Sequence, residues 1–92
     1  MSTTRINEFV AIQDKADELY EFLKSLVPYI EGSDGCQGCE VLRSTETATR
    51  FVVIEKWDSI EFHKQSVKNY PQEQMQAAMS LIQAAPKGGY YV

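Results

Sequence analysis

Apolar residues occupy both alternating sets of positions in residues 51–57 (FVVIEKW), the pattern of a β-strand that is covered on both faces. Phe51, Val53 and Trp57 would lie on one face, with two further aliphatic residues on the other. A chain of 92 residues can cover only one face of a sheet with its own helices, so we expect the other face to meet a second copy. The pattern therefore predicts a homodimer that forms through its sheet faces.

The rest of the chain alternates between strand and helix patterns. Residues 5–12 alternate as a first strand, and apolar residues at helical spacing follow from Asp14, in the N-cap position, to Gly32. Residues 39–45 alternate again and, across a short polar turn, would form an antiparallel hairpin with 51–57. These segments predict the first part of an α+β domain.

Two shorter helices and a fourth strand complete the predicted order. Asp58 and Glu61 are spaced as in a capping box and predict a helix after the third strand. Pro71 opens another helix, which Pro86 would stop, and residues 88–92 form a last strand. The order β-α-β-β-α-α-β places the helices on one face of a four-stranded antiparallel sheet, which is the ferredoxin-like arrangement of the α+β class.

Composition and charge limit the classes of partner. The chain is 43% hydrophobic and 24% charged, as in an ordinary globular protein, and residues 1–92 are expected to form one domain. The net charge of -4 argues against nucleic acid and anionic membrane as partners. The apolar stretches are much shorter than the ~20 residues of a membrane span, and the N-terminus has no signal-peptide pattern. A cytoplasmic protein is therefore expected.

Two cysteines form a C-x-x-C motif without the further ligands of a zinc site and without the helix that follows a redox motif. Cys36 and Cys39 could in principle act as a redox pair or supply half of a zinc site. A zinc site needs two further ligands, and His63 is the only other soft ligand in the chain. A thioredoxin-type pair would open a helix, whereas this motif opens a strand. We interpret the cysteines as small, partly buried residues and predict no metal.

His63 is the only histidine, and its spacing turns it inward. Ile60, His63 and Val67 lie at i, i+3 and i+7 on the predicted second helix, which directs the imidazole toward the protein interior. With an ordinary pKa near ~6.5, a histidine that faces a pocket could take the proton of a phenol or quinol as general base. The alternative is a hydrogen-bonded residue at the edge of the core.

Other residues on the same strands could line such a pocket. Trp57 could stack on a planar ligand or belong to the core. Glu55, on the same strand face, could orient His63 or form an ion pair with an arginine at the dimer interface. Asn7, in the first strand, could hold dioxygen or a substrate carbonyl by a hydrogen bond. Further substrate contacts are expected from Phe51, Tyr20 and Met79, although core packing is the simpler explanation for the last two.

The segment from Phe51 to His63 resembles the antibiotic biosynthesis monooxygenase (ABM) family of dimeric α+β barrels. Gly35 followed by Cys36, a pair that commonly opens the second strand in that family, strengthens the resemblance. In the family the ligand sits between the helices and the sheet, beside a tryptophan that ends the third strand, and Trp57 matches that position. An aromatic or histidine side chain six residues later often faces the same pocket, and His63 matches it.

The resemblance implies an activity and also contains departures. Members of the family include cofactor-independent oxygenases of phenols and quinols, haem-degrading enzymes and proteins that act on small signalling molecules. Some of the oxygenases place an asparagine four residues before the tryptophan, where this chain has Val53. Asn7 matches an asparagine of the haem-degrading branch, but Ser66 and Gln76 stand where that branch has a tryptophan and a histidine. The resemblance therefore does not extend to haem.

The sequence predicts a homodimeric, cofactor-independent monooxygenase that oxidises a small aromatic phenol or quinol to a quinone. His63 would be the general base, Trp57 would pack on the substrate, and Asn7 and Glu55 would orient or polarise it. No cofactor is expected, because no glycine-rich loop joins a strand to a helix and no metal-ligand cluster is visible. The alternative is a small-molecule binding or sensing dimer of the same fold without turnover, which the missing asparagine at Val53 favours.

Overall fold

The helices and strands follow one another in the predicted order. The computed structural model describes residues 2–92. Its strands and α-helices are β1 (Thr3–Val10), α1 (Ala16–Glu31), β2 (Cys36–Arg43), β3 (Arg50–Trp57), α2 (Ile60–Asn69), α3 (Gln72–Met79) and β4 (Lys87–Tyr91).

Within residues 2–92 the strands form one four-stranded sheet in the order β2-β3-β1-β4. Every neighbouring pair is antiparallel, and β1 and β3 lie in the centre. The chain passes from β1 to β2 through α1, and from β3 to β4 through α2 and α3. This is the ferredoxin-like strand order, so the predicted fold class is confirmed.

The register of the sheet decides which side chains face the helices. In the β1–β3 pair, Asn7 lies opposite Val53 and Arg5 lies opposite Glu55. Directly paired residues share a face of the sheet, so these four side chains point to the same side. It is the side that the helices cover, because the β3 residues on it are buried whereas the alternate ones are half-buried or exposed. We call the covered side the inner face and the other side the outer face.

The apolar core lies between α1 and the inner face. Leu19 and Leu23 of α1 are each 1% exposed and pack with Phe51 and Val53 of β3. These residues belong to the apolar sets that the helical and strand periodicities predict. The core therefore depends on matching one helix stripe to one strand face.

The first helix begins differently from the prediction. Asp14 does not cap it, because this residue lies in a short 3-10 turn, Gln13–Lys15, without a side-chain cap hydrogen bond. The backbone N–H of Lys15 donates to the carbonyl of Ile12 at 2.8 Å and closes that turn. A backbone hydrogen bond thus replaces the predicted side-chain cap, and α1 begins at Ala16.

The N-cap of α2 is Ser59, whose Oγ accepts a hydrogen bond from the backbone N–H of Phe62 at 3.4 Å. Asp58 is engaged with the entrance of β2 instead, since its N–H donates to the carbonyl of Gly35 at 2.7 Å. The predicted capping box of Asp58 and Glu61 is therefore wrong by one residue.

The third helix is shorter than predicted. It ends at Met79, well before Pro86, because the chain then returns to the end of β1. There Ile82 forms an isolated antiparallel bridge with Ala11, and Ile82 is buried in the core. The helical spacing of the apolar residues did not predict this bridge, which ends the helix before Ile82.

Gly35 shapes the entrance to β2, which begins at Cys36, earlier than predicted. Its φ angle is +82°, in a region of backbone conformation that residues other than glycine rarely adopt. The ring of Phe62 from α2 also packs where a Cβ atom of residue 35 would lie. Glycine is therefore needed here both for the backbone conformation and for the close approach of α2.

We expect Gly35→Ala to lower the free energy of unfolding by about 1–3 kcal/mol, because the side chain strains the backbone and displaces Phe62. Urea denaturation measures the loss. Gly38→Ala is the matched control: a Cβ there meets no atom within 4 Å, so its effect should stay below ~1 kcal/mol. Equal losses in the two variants would contradict this account.

Candidate functional site

A cavity of about 150 Å³ lies between the inner face of the sheet and the three helices. Most of its wall is aliphatic or aromatic, from all three helices and from both central strands. The apolar residues nearest the sheet include Phe9, Leu19, Leu23, Val53 and Ile82. Val67, Met75 and Met79 also line it and are partly exposed, so they lie where the cavity approaches solvent.

Three polar side chains converge on this apolar space. Asn7 enters from β1, Glu55 from β3 and His63 from α2. Glu55 is 7% exposed and His63 is 9% exposed, so both ionisable groups are buried. Charged groups that are removed from water in this way need close partners, and the partners set their chemistry.

Glu55 is held by the indole of Trp57. The Trp57 Nε1–H donates to Oε1 of Glu55 at 2.9 Å, and Nε2 of His63 lies 3.9 Å from the same oxygen. Burial raises the pKa of the Glu55 carboxyl above its ordinary value, and the Trp57 hydrogen bond and the charge of Arg5 only partly oppose that shift. Glu55 therefore has a higher affinity for protons than an exposed carboxylate.

His63 has its partner on the last strand. Nδ1 lies 2.6 Å from the hydroxyl of Tyr90, and the imidazole packs edge-to-face against the rings of Tyr90 and Trp57. Burial, followed by the charges of Arg5 and Lys64, lowers the pKa of His63 to about 4. The imidazole is therefore neutral at pH 7.

Beside these groups, two polar atoms of β1 are buried without a hydrogen-bond partner within residues 2–92: Nε of Arg5 and Oδ1 of Asn7. The Arg5 guanidinium lies over the ring of Tyr90, 4.8 Å from its centroid. Gly88 of β4 allows this packing, because a Cβ there would collide with the Arg5 guanidinium and lie 2.8 Å from Oδ1 of Asn7. Such unpaired atoms favour a ligand or solvent group beside β1.

The family model for antibiotic biosynthesis monooxygenases matches residues 3–80. The chain belongs to this family. The likeness that the sequence shows is thus confirmed, and membership of the ABM family supports a monooxygenase-type activity. No curated protein matches the chain in sequence.

Solved structures share the fold at low sequence identity. Rv0793 from Mycobacterium tuberculosis is 15% identical with a TM-score of 0.86, and the match covers 100% of this chain and 94% of that one. A conserved protein from Methanosarcina mazei Go1 is 15% identical with a TM-score of 0.88 (99% and 91% covered). SnoaB, a cofactor-independent oxygenase from Streptomyces nogalater, is 15% identical with a TM-score of 0.83 (99% and 91% covered).

The ABM chain brings together four of the predicted site residues and leaves three outside the cavity wall. Asn7, Glu55, His63 and Met79 line the cavity, whereas Trp57, Phe51 and Tyr20 do not. Trp57 is 0% exposed and contacts Glu55 and His63, so in this structure it lies outside the cavity wall, and its contact with a ligand stays a prediction.

Phe51 and Tyr20 lie in the core and not at the predicted ligand contacts. Their rings stack on each other, with centroids 5.6 Å apart. Within residues 2–92 Glu55 forms no ion pair with an arginine, and Arg43 pairs with Asp17 at 2.9 Å; the ion pair of Glu55 at a dimer interface stays a prediction. Glu55 satisfies one oxygen with the Trp57 N–H, which needs no arginine.

Sequence reasoning missed two further polar residues of the cavity wall. Tyr29 of α1 and Ser66 of α2 both line it, and the Tyr29 hydroxyl donates to the backbone carbonyl of Ser66 at 2.8 Å. The ring of Tyr70 packs edge-to-face against Tyr29 at 5.0 Å. The helical spacing of Tyr29, three residues after Leu26, was the signal that could have found it.

Cys36 and Cys39 are free thiols and half-buried. A β-bulge between Cys36 and Gly38 places both cysteines opposite inner-face residues of β3, Trp57 and Glu55. Burial raises the pKa of both thiols, that of Cys39 to about 12. Both are therefore protonated at pH 7.

In the part of the chain that the structure describes, every helix is too short or too polar to cross a lipid bilayer.

His63 is expected to make the protein less stable in acid. Its pKa of about 4 in the folded chain is below the ordinary 6.5, so between these pH values the unfolded chain binds a proton that the folded chain does not. The parent should lose about 2 kcal/mol more free energy of unfolding between pH 7.5 and pH 5.0 than His63→Gln. Urea denaturation at both pH values measures the difference, and equal losses would contradict it.

Proposed function

We propose that the protein is a cofactor-independent monooxygenase that oxidises a small aromatic phenol or quinol to a quinone. The observation that carries this proposal is that two buried acid–base groups, His63 and Glu55, lie 3.9 Å apart in the wall of a mostly apolar cavity. An apolar wall suits an aromatic ring, and the pair suits the removal of its hydroxyl proton. The monooxygenase character of the ABM family supports the same chemistry.

The size of the cavity favours a substrate with a single ring. Its volume is about 150 Å³, and an apolar cavity of ~150 Å³ is known to hold benzene. A phenol or quinol of one ring matches this space, whereas a substrate of three or four fused rings does not. Ala78 and Met79 of α3 form part of the wall, so this helix contributes to the size limit.

The proposed reaction balances without an external reductant. A phenol reacts with dioxygen to give a quinone and water: one oxygen atom forms a new carbonyl on the ring, and the other leaves as water with the two hydrogens that the phenol loses. Removal of the phenolic proton makes the ring electron-rich enough to transfer an electron to dioxygen. The protein then has to supply a proton acceptor and a site from which bulk water is excluded.

The residues divide this work according to their positions. His63 or Glu55 receives the proton, because both border the cavity and both are buried. Asn7 would hold the substrate or dioxygen through its side-chain amide, which has an unpaired buried oxygen. Trp57 would act from behind by holding the Glu55 carboxylate.

We also propose that two copies associate through their outer faces, which would complete a dimeric α+β barrel. The outer face carries Ile6, Val52 and Ile54 on the central strands, and Leu42 at its edge is 48% exposed. Helices cover only the other face. An apolar face of this kind is best stabilised by a second apolar face.

Filling the cavity is expected to stop the reaction. Ala78 is buried and lines the cavity, so the three added carbons of Ala78→Leu would occupy the space for a ring. Oxygen consumption with hydroquinone, methylhydroquinone or catechol should fall by at least ~10-fold. Ala77→Leu, at an exposed position of the same helix, is the matched control and should retain the parent rate.

Two results would contradict the proposed oxygenase function. Oxygen consumption that continues unchanged in Ala78→Leu would exclude the cavity as the site of reaction. A second result would support the binding or sensing protein instead. In that case no quinol would cause oxygen consumption, but one quinol would bind tightly to the parent and not to Ala78→Leu.

The outer-face association has its own test. A lysine at Ile54, in the centre of that face, would place an unpaired charge between the two sheets. Sedimentation velocity over a range of concentrations should show a dimer for the parent and a monomer for Ile54→Lys. The control is Glu61→Lys, which also adds positive charge but lies on α2 and not on the outer face, so this variant should remain dimeric. A monomeric parent would contradict the proposed association.

A further inference from the structure

The two oxygens of the Glu55 carboxylate have different surroundings. Oε1 accepts the hydrogen bond of Trp57 Nε1–H at 2.9 Å and also lies nearest to Nε2 of His63. Within residues 2–92 no hydrogen bond reaches Oε2, although Glu55 lines the cavity. One oxygen is therefore anchored, and the other has its lone pairs available to a ligand hydroxyl.

The imidazole of His63 has a close polar partner at one nitrogen. The Tyr90 hydroxyl lies 2.6 Å from Nδ1. In the tautomer in which this hydroxyl donates, its hydrogen uses the lone pair of Nδ1. The neutral imidazole then carries its own hydrogen on Nε2, which faces Glu55 at 3.9 Å.

The surrounding charges support this arrangement. Arg5 lies over Tyr90, and Lys64 follows His63 on α2; both cations disfavour a positive imidazolium. From β2, Cys39 lies opposite Glu55 and stays a neutral thiol at pH 7, because burial raises its pKa to about 12. The site at neutral pH thus holds a neutral imidazole beside a carboxyl whose pKa is raised by burial.

We infer that Glu55 receives the substrate proton through Oε2, and that His63, fixed by the hydroxyl of Tyr90, is a positioning residue whose Nε2–H is directed toward Glu55. This inference rests on the proposed oxygenase function and changes the assignment of the base from His63 to Glu55. Tyr90, on the last strand, then becomes part of the machinery although it does not line the cavity.

The proton balance of the step is complete. The phenolic O–H bond breaks, its proton moves to Oε2 of Glu55, and the electron pair stays on the phenolate oxygen. The phenolate passes an electron to dioxygen, and a bond forms between the resulting superoxide and a ring carbon. Glu55 returns its proton to the peroxide to give a hydroperoxide. The O–O bond and the C–H bond of the same ring carbon then break, so that water leaves with the ring hydrogen and the new carbonyl stays on the ring.

The kinetic test compares two conservative variants in oxygen consumption with hydroquinone or methylhydroquinone. Glu55→Gln keeps the shape but loses the proton acceptor, so the rate should fall by ~10²–10⁴-fold. His63→Gln can still direct an N–H toward Glu55, so the rate should fall by less than ~10-fold. In this variant the rate should still rise with pH, because Glu55 accepts the substrate proton only in its ionised form. Equal losses in the two variants would overturn the assignment.

A binding test decides the same question without turnover. Phenol and toluene have nearly the same size, but only phenol can donate a hydrogen bond to Oε2. In anaerobic titrations the affinity ratio of phenol to toluene should fall ~10-fold in Glu55→Gln, as expected for a lost hydrogen bond to a charged group, and remain within ~3-fold in His63→Gln. An unchanged ratio in Glu55→Gln would overturn the inference, whereas inactivity with every quinol would reject only the oxygenase function.

The single histidine allows a direct reading of its tautomer by ¹⁵N NMR. We expect the Nε2–H tautomer in the parent at pH 7, and loss of this preference in Tyr90→Phe, which removes the donor to Nδ1. Tyr91→Phe, at a residue whose ring lies on the exposed outer face, should leave the spectrum unchanged. The Nδ1–H tautomer or an imidazolium in the parent would exclude the positioning role.

Discussion

The antiparallel pairing of β1 with β3 in the centre of the sheet is the constraint on which the rest of the structure depends. This pairing places Arg5 opposite Glu55 and Asn7 opposite Val53 on the inner face. A shift of β1 by one residue against β3 would turn Arg5 and Asn7 to the outer face, because the side-chain period of a strand is two. On the other side of β1, the register of its pairing with β4 brings Tyr90 opposite Arg5, within reach of His63. The acid–base pair is therefore a property of strand register as much as of residue type.

Burial of Glu55 connects the stability of the fold to its chemistry. A carboxylate at this depth costs free energy unless it is hydrogen-bonded, and Trp57 supplies one bond to one oxygen. The compensation is incomplete, so the pKa of Glu55 remains raised. The same apolar surroundings lower the pKa of His63. Burial thus shifts the pKa values of both the acidic Glu55 and the basic His63 in the direction that favours their neutral forms. Buried catalytic groups often show this pattern.

Membership of the ABM family and the details of the cavity answer different questions. The family model places this chain in the ABM family, and the structures compared above, at 15% sequence identity, share its fold. Substrate choice depends instead on the individual wall residues, which differ between proteins with one backbone. Here most of the wall is aliphatic or aromatic, and α3 contributes Ala78 and Met79 to it. Gly88 adds a local requirement, since only a residue without Cβ lets Arg5 and Asn7 pack beside β4.

The sequence alone determined the order of elements, the two-faced strand at 51–57, the apolar stripe of α1 and the inward position of His63, because these follow from periods of two and 3.6 residues. Tertiary structure decided which candidates meet. Trp57, Phe51 and Tyr20 carry the right chemistry for a ligand wall, yet packing places them in the core. Tyr90 reaches His63 although 27 residues separate them. Contacts of that kind depend on strand register and helix crossing, which no local pattern encodes.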